Sequence, residues 1–187
     1  VISLEFLATN DGSSKLITTT ITVEAGEINT YTAVIMSDLE NPDGSSFYSL
    51  EDNKLMTLSQ ADVASGEVDL IYYYGATNKA TLCAPDDQDI RAFTDSHGAV
   101  VVDRLEVMND TRIGMVEMAV ADFNAVTNDG PILAKKPATT STAANNLVKD
   151  KVIYCETVTG KKALVLVKNI TGTQGTSYIT IEVKVQK

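Results

Sequence analysis

The sequence predicts an α+β fold, mainly antiparallel β-sheet with two or three short helices; an all-β sandwich is the alternative. Three observations point there. Short runs of β-branched and aromatic residues recur along the chain, each closed by Gly, Pro, Asn or Asp. Helical spacing is confined to segments of one or two turns. The stretch Val68 to Pro85, VDLIYYYGATNKATLCAP, reads as two adjacent buried strands around a Gly-containing turn, and the remainder is organised about it.

In chain order, Ile2 to Ala8 alternates Ile2, Leu4 and Phe6 against Ser3, Glu5 and Leu7, a half-buried strand pattern. Asn10-Asp11-Gly12 turns it into Leu16 to Glu24, so the two form a hairpin. Tyr31 to Ser37 is a third strand, and Asn41-Pro42-Asp43-Gly44 a turn. Phe47 and Tyr48 open a short strand, Glu51 to Lys54 make a polar turn, and Leu55 to Leu58 follow. Ser59 as N-cap and Gly66 behind Ser65 bracket two helical turns.

Val68, Leu70, Tyr72 and Tyr74 then share one face and Asp69, Ile71 and Tyr73 the other. Both faces are mostly apolar, which predicts a central strand covered on both sides. Asp86 to Asp89 lead a short helix, Ile90 to Thr94, and Val100 to Met108 reads as a strand. Thr111 to Met118 is strand by residue type and helix if fused to the next segment. Val120 to Thr127 has helical spacing that Asn128-Asp129-Gly130-Pro131 stops. Lys136 to Asn146 is an exposed loop or a loop feeding a short helix. Three strands end the chain: Val152 to Thr157, Ala163 to Lys168, and Tyr178 to Val185, whose alternation is the clearest β signal present.

We read residues 1–187 as one domain. A shift of 82 positions aligns Leu70–Cys83 with Val152–Val165, with five identities in fourteen, Ile71/Ile153, Tyr72/Tyr154, Thr77/Thr159, Lys79/Lys161 and Leu82/Leu164. Ala61 also matches Ala143. The match is that of a weak internal repeat, two related halves at about 28–98 and about 99–187, and chance similarity between strands is its competitor.

The 25 acidic and 15 basic residues give a formal charge of −10, which repels phosphate backbones and anionic lipid heads and excludes nucleic acid as an expected partner. Apolar runs such as Ala163 to Val167 are too short to cross a bilayer, and the expectation is a soluble, mature fragment. Cys83 and Cys155 read as small buried hydrophobes or as a disulfide closing a long loop; their spacing is not that of a zinc site, and the single histidine, His97, sits in a Ser-His-Gly loop. No cofactor is expected. Asp86, Asp87 and Asp89 are weak candidates for a calcium site, without the alternation and Gly of an EF-hand loop, and a helix N-terminus explains them as well.

Four segments carry a resemblance: Asp43-Gly44-Ser45-Ser46-Phe47-Tyr48-Ser49, Leu58-Ser59-Gln60-Ala61, Val68 to Gly75, and Thr81-Leu82-Cys83-Ala84-Pro85. With Gly160 to Val167 and the ending Ile179-Thr180-Ile181-Glu182-Val183-Lys184-Val185-Gln186, the chain resembles secreted or surface lipoproteins of Bacteroidetes. The resemblance covers most of Thr32 to Lys187. It implies a cell-surface or periplasmic location, with a membrane reached only through a lipidated Cys before Val1. It brings no catalytic residue with it, and Cys83 and Cys155 depart from its pattern.

Three functions follow as expectations. The first is a non-catalytic binding or adhesion module for a glycan or a surface protein, with Tyr72, Tyr73 and Tyr74 as weak candidates, since aromatic faces stack on sugars and anchor interfaces. Core packing with Val68 and Leu70 explains the same tyrosines, and the chain has no Trp. The second is a carboxylate hydrolase, with Asp69 entering a covered face where it needs a partner or a raised pKa; a structural Asp bonded to backbone amides is the alternative. No GxSxG-like context supports a nucleophilic triad. The third is an assembly subunit pairing through an exposed edge such as Ile179 to Val185.

Overall fold

The computed structural model describes residues 2–11, 13–21, 24–41, 43–94 and 99–187. Gly12, Pro42 and His97, and the turns or loop expected at them, lie outside the described residues. Every strand pairing is antiparallel. β1 (Ile2–Asn10) and β2 (Ser13–Ile21) form a hairpin of their own. A five-stranded sheet, which we call the first sheet, contains β3 (Ile28–Ser37), β8 (Arg112–Val116), β10 (Val152–Glu156), β11 (Lys162–Thr171) and β12 (Tyr178–Gln186) in the order β3-β12-β11-β10-β8. The second sheet contains β4 (Ser45–Ser49), β5 (Lys54–Thr57), β6 (Leu70–Gly75), β7 (Lys79–Cys83) and β9 (Ala143–Ala144) in the order β5-β4-β6-β7-β9. The helices are α1 (Leu58–Val63), α2 (Val120–Asn124) and α3 (Gly130–Ala134). A mainly antiparallel β architecture with three short helices is therefore what the described residues adopt.

Strand alternation decides the layering. Tyr48, Leu70, Tyr72 and Leu82 of the second sheet meet Val34, Ile153, Val165, Ile181 and Val183 of the first in a core between the sheets. The opposite face of the second sheet, with Phe47, Ile71, Tyr73 and Cys83, is covered by Ile90, Phe93, Val101, Val102 and Leu105. The opposite face of the first, with Val152, Tyr154, Leu164 and Leu166, lies beneath Phe123, Val126 and Ile132. Hence β6 is central and covered on both faces, as its two apolar faces predict. Cys155 lies between the sheets and Cys83 on an outer face; both are buried and free, the small-hydrophobe alternative.

The structure corrects several local expectations. Val100 to Met108 is not a strand: residues Val101–Arg104 form a 3-10 turn, and Val101, Val102 and Leu105 pack on one side of it, a turn-like rather than alternating spacing. Thr57, not Ser59, precedes α1, and its backbone N–H donates to Gln60 Oε1 at 2.9 Å; Ala64, not Gly66, ends the helix. Residues 89–92 make a 3-10 turn where a short helix was expected. Gly130-Pro131 does not merely stop α2 but starts α3, where proline's missing N–H costs nothing. The 136–146 segment contributes β9 rather than a helix.

The described side chains of β1 and β2 are exposed instead of half-buried, because the hairpin joins neither large sheet. The Ile179 to Val185 strand is not an edge: β12 is hydrogen-bonded to β11 on one side and β3 on the other. The repeat-matched hairpins β6–β7 and β10–β11 each occupy the interior of a sheet, yet Tyr72 faces the inter-sheet core while Tyr154 faces outward.

Lys184 is a buried cation explained by its partners. Its Nζ donates to the carbonyls of Asn124 (3.2 Å) and Val126 (2.6 Å) at the end of α2 and lies 5.2 Å from the Phe123 ring centroid. Burial pulls its pKa down. Lys184→Met keeps the stem but leaves both carbonyls unpaired, so we expect a loss of about 2–3 kcal/mol in urea unfolding; an unchanged midpoint would mean the tether contributes nothing.

Candidate functional site

The three adjacent tyrosines diverge. The Tyr72 ring is fully buried, its hydroxyl 2.9 Å from Ser177 Oγ, and burial pushes its pKa up to about 12. Tyr73 is buried with its ring centroid 4.8 Å from that of Phe93, and its hydroxyl accepts from Asn78 Nδ2 at 3.2 Å. Tyr74, at the end of β6, is half-buried, and its hydroxyl has no protein partner among the described residues. The tyrosine run is thus a core element whose last ring reaches the surface.

Tyr74 lines a cleft of about 450 Å³ at one end of the sandwich. Its apolar part comes from Tyr74, Ala80, Leu147, Val148 and Ile170; its polar rim from Lys79, Asn146, Lys149 and Asn169. These residues converge because the strap leading from β9 to β10 crosses the open end of both sheets. Asn146 N donates to Asn78 O (2.8 Å), Leu147 N to Ala80 O (2.9 Å), and Asp150 N to Val167 O (2.8 Å). Lys79 (φ 54°) and Asn146 (φ 54°) hold left-handed backbone conformations that lysine in particular rarely takes. Gly172 closes the cleft at φ 77°, where a Cβ would stand 2.4 Å from Thr176 O.

Asp38 fixes the backbone beneath the cleft. Its Oδ1 accepts from Tyr74 N and Glu40 N, both at 3.3 Å, and its Oδ2 from Gly175 N at 2.7 Å and Ser177 Oγ at 3.4 Å. Burial raises its pKa, and these backbone donors oppose that rise.

Two further clefts are less suited to a ligand. The larger, about 650 Å³, borders Asn41 and Thr94, and its Arg104 is ion-paired with Asp62 at 2.8 Å. The other, about 420 Å³, lies across the β6–β7 turn beside Tyr73 and Phe93. Its polar groups bond one another: Asn78 Nδ2 to Asp89 Oδ2 (2.8 Å) and Gln174 Nε2 to Glu40 Oε1 (3.0 Å).

The remaining candidates separate. Asp87 accepts from Asp89 N (2.9 Å) and Thr142 Oγ1 (2.5 Å), while Asp86 lies 4.0 Å from Arg112 and Asp89 faces Asn78. Among the described residues no three His, Cys, Asp or Glu side chains are grouped to hold a metal ion. Asp69, 5% exposed, sits at the far end of β6 from Tyr74; its Oδ2 accepts from Leu50 N at 2.8 Å, and burial raises its pKa to about 7. It lines none of the three clefts. Burial also pushes the Cys83 and Cys155 thiols up, away from the reactive thiolate. Among the described residues, no helix is long and apolar enough to cross a membrane.

Sequence reasoning reached Tyr74 but not its companions. Asn146 and Lys149 lie on the strap between β9 and β10 and Asn169 near the end of β11, all distant in sequence from Tyr74, and their one visible signal was the density of Asn and Lys flanking strand ends.

Neither a protein-family model nor a curated protein sequence matches the chain. Its fold is similar to that of a DUF4466 family protein from Parabacteroides merdae ATCC 43184, with a TM-score of 0.62 at 10% identity over 95% of this chain. The chain spans 59% of that protein, and at this identity the likeness carries the fold alone.

Proposed function

We propose that this chain is a non-catalytic binding module that holds a saccharide in the cleft beside Tyr74, at the cell surface or in the periplasm of a Bacteroidetes bacterium. The observation that carries this reading is that half-buried Tyr74, whose hydroxyl has no partner among the described residues, lines one cleft together with Asn146 and Asn169. An aromatic face packs on the C–H face of a sugar while amides and phenol exchange hydrogen bonds with its hydroxyls. The resemblance of the sequence to surface lipoproteins of Bacteroidetes supports the location and the lineage, with a lipid anchor outside this stretch as the membrane tether. Asp69, the hydrolase candidate, lies at the other end of β6 and is explained by its backbone bond.

The test is a glycan array followed by calorimetric titration of the sugars that bind. Tyr74→Ala should weaken binding at least tenfold, about 1.4 kcal/mol, in a protein whose circular dichroism is unchanged. An array at background, or a variant that binds as the wild type does, would discard the reading.

A further inference from the structure

We infer, on the premise that this cleft is a sugar site, that its saccharide carries one acidic group, a carboxylate of the uronic or sialic type, rather than being neutral or a dense polyanion. Charge complementarity carries the inference. The chain has 25 acidic against 15 basic residues, yet none of the residues lining this cleft is acidic and two are lysines. Lys54, Lys136, Lys151, Lys162, Lys168 and Lys187 each have a carboxylate within ion-pair distance. Lys79 and Lys149 have none among the described residues, as is also true of Lys15, Lys135, Lys161 and Lys184; what sets these two apart is that they line one cleft free of acidic residues, and Lys149 makes no hydrogen bond among the described residues.

Lys79 is also held in place. Its Nζ donates to Ala76 O at 2.7 Å, which fixes the ammonium over the turn and leaves two N–H donors free. An ammonium so positioned, with a second cation on the opposite strap, suits a compact carboxylate as a point charge. A polyanion fits poorly, because screening acts over about 8 Å at physiological salt. One acidic sugar therefore meets the two lysines, while the next charges along a polymer find no third cation in the cleft lining and approach a chain of formal net charge −10.

Calorimetric titration with matched pairs tests this: sialyllactose against lactose, and glucuronate against glucose, with heparin as the polyanion. The acidic member of a pair should bind at least tenfold more tightly, and the double variant Lys79→Gln, Lys149→Gln should erase the difference between members. Tyr74→Ala should weaken both members together. Equal affinities within both pairs, or heparin binding as tightly as the acidic sugar, would overturn the inference while leaving the cleft a sugar site. Absence of binding by acidic and neutral members alike would remove the sugar site itself.

Discussion

Asp69→Asn is expected to flatten the acid limb of the protein's stability curve. The folded-state pKa of about 7 lies well above the ordinary 3.8, so the fold favours the protonated carboxyl. For a group raised in this direction, its contribution is fully present below about pH 4 and is lost as pH rises toward 7, by about 4 kcal/mol in all. Burial is the main cause; the nearby carboxylates of Glu51 and Asp52 add to it, and the Leu50 N–H opposes it. Asparagine keeps an acceptor for that N–H and has no charge to bury. Urea unfolding of both proteins at pH 4, 5.5, 7 and 8 should show the variant gaining on the wild type across this window and levelling off above pH 7. Asp38 and Asp86 are raised as well, so the difference between the two curves, not the wild-type slope, reports Asp69. Parallel curves would show that Asp69 ionises as freely in the fold as in the unfolded chain.

The same substitution at Asp38 is expected to do the opposite. Both carboxylate oxygens of Asp38 are occupied by donors, two on each. An amide has one acceptor atom, so its NH2 group faces either the Tyr74 and Glu40 N–H groups or the Gly175 N–H and the Ser177 hydroxyl, of which the hydroxyl alone can turn to accept; at least one backbone donor is left unpaired at a residue that is 0% exposed. We expect Asp38→Asn to cost about 1–3 kcal/mol at neutral pH, the penalty of one unpaired buried donor. Amide exchange at Tyr74 and Gly175 should accelerate with it. A variant within 1 kcal/mol of wild type, with both amides still protected, would show that the four bonds are not cooperative. Read together, the two variants separate a carboxylate that burial penalises from one that the backbone requires.

The pattern of apolar residues carried most of the strands because strand faces repeat every second residue, and here both faces of the central strands are covered. It failed where burial is one-sided and irregular. Val101, Val102 and Leu105 have strand-forming side chains, but they cap an outer sheet face as a 3-10 turn, a choice made by what lies beneath them. Ala143 and Ala144 form β9 only because Leu82 and Cys83 leave an edge to pair with. The cleft was legible only at Tyr74. Lys79 opens β7, Lys149 lies on the strap before β10 and Asn169 sits near the end of β11, and their convergence depends on the order of strands across two sheets, which no local period encodes.

The neighbour relation of β3 and β12 has a consequence for how the molecule comes into being. Ile28 pairs with Gln186, so the strand that opens the first sheet waits for a partner made after every other strand of that sheet. On a ribosome, β3 and β11 must remain open-edged until β12 emerges between them, and closing so long a loop makes the final step slow and all-or-none. Sheet two, whose strands β4 to β7 follow one another closely, has no such wait. The first sheet is thus half-templated until β12 is made, and its period of greatest exposure to wrong partners ends only with that strand.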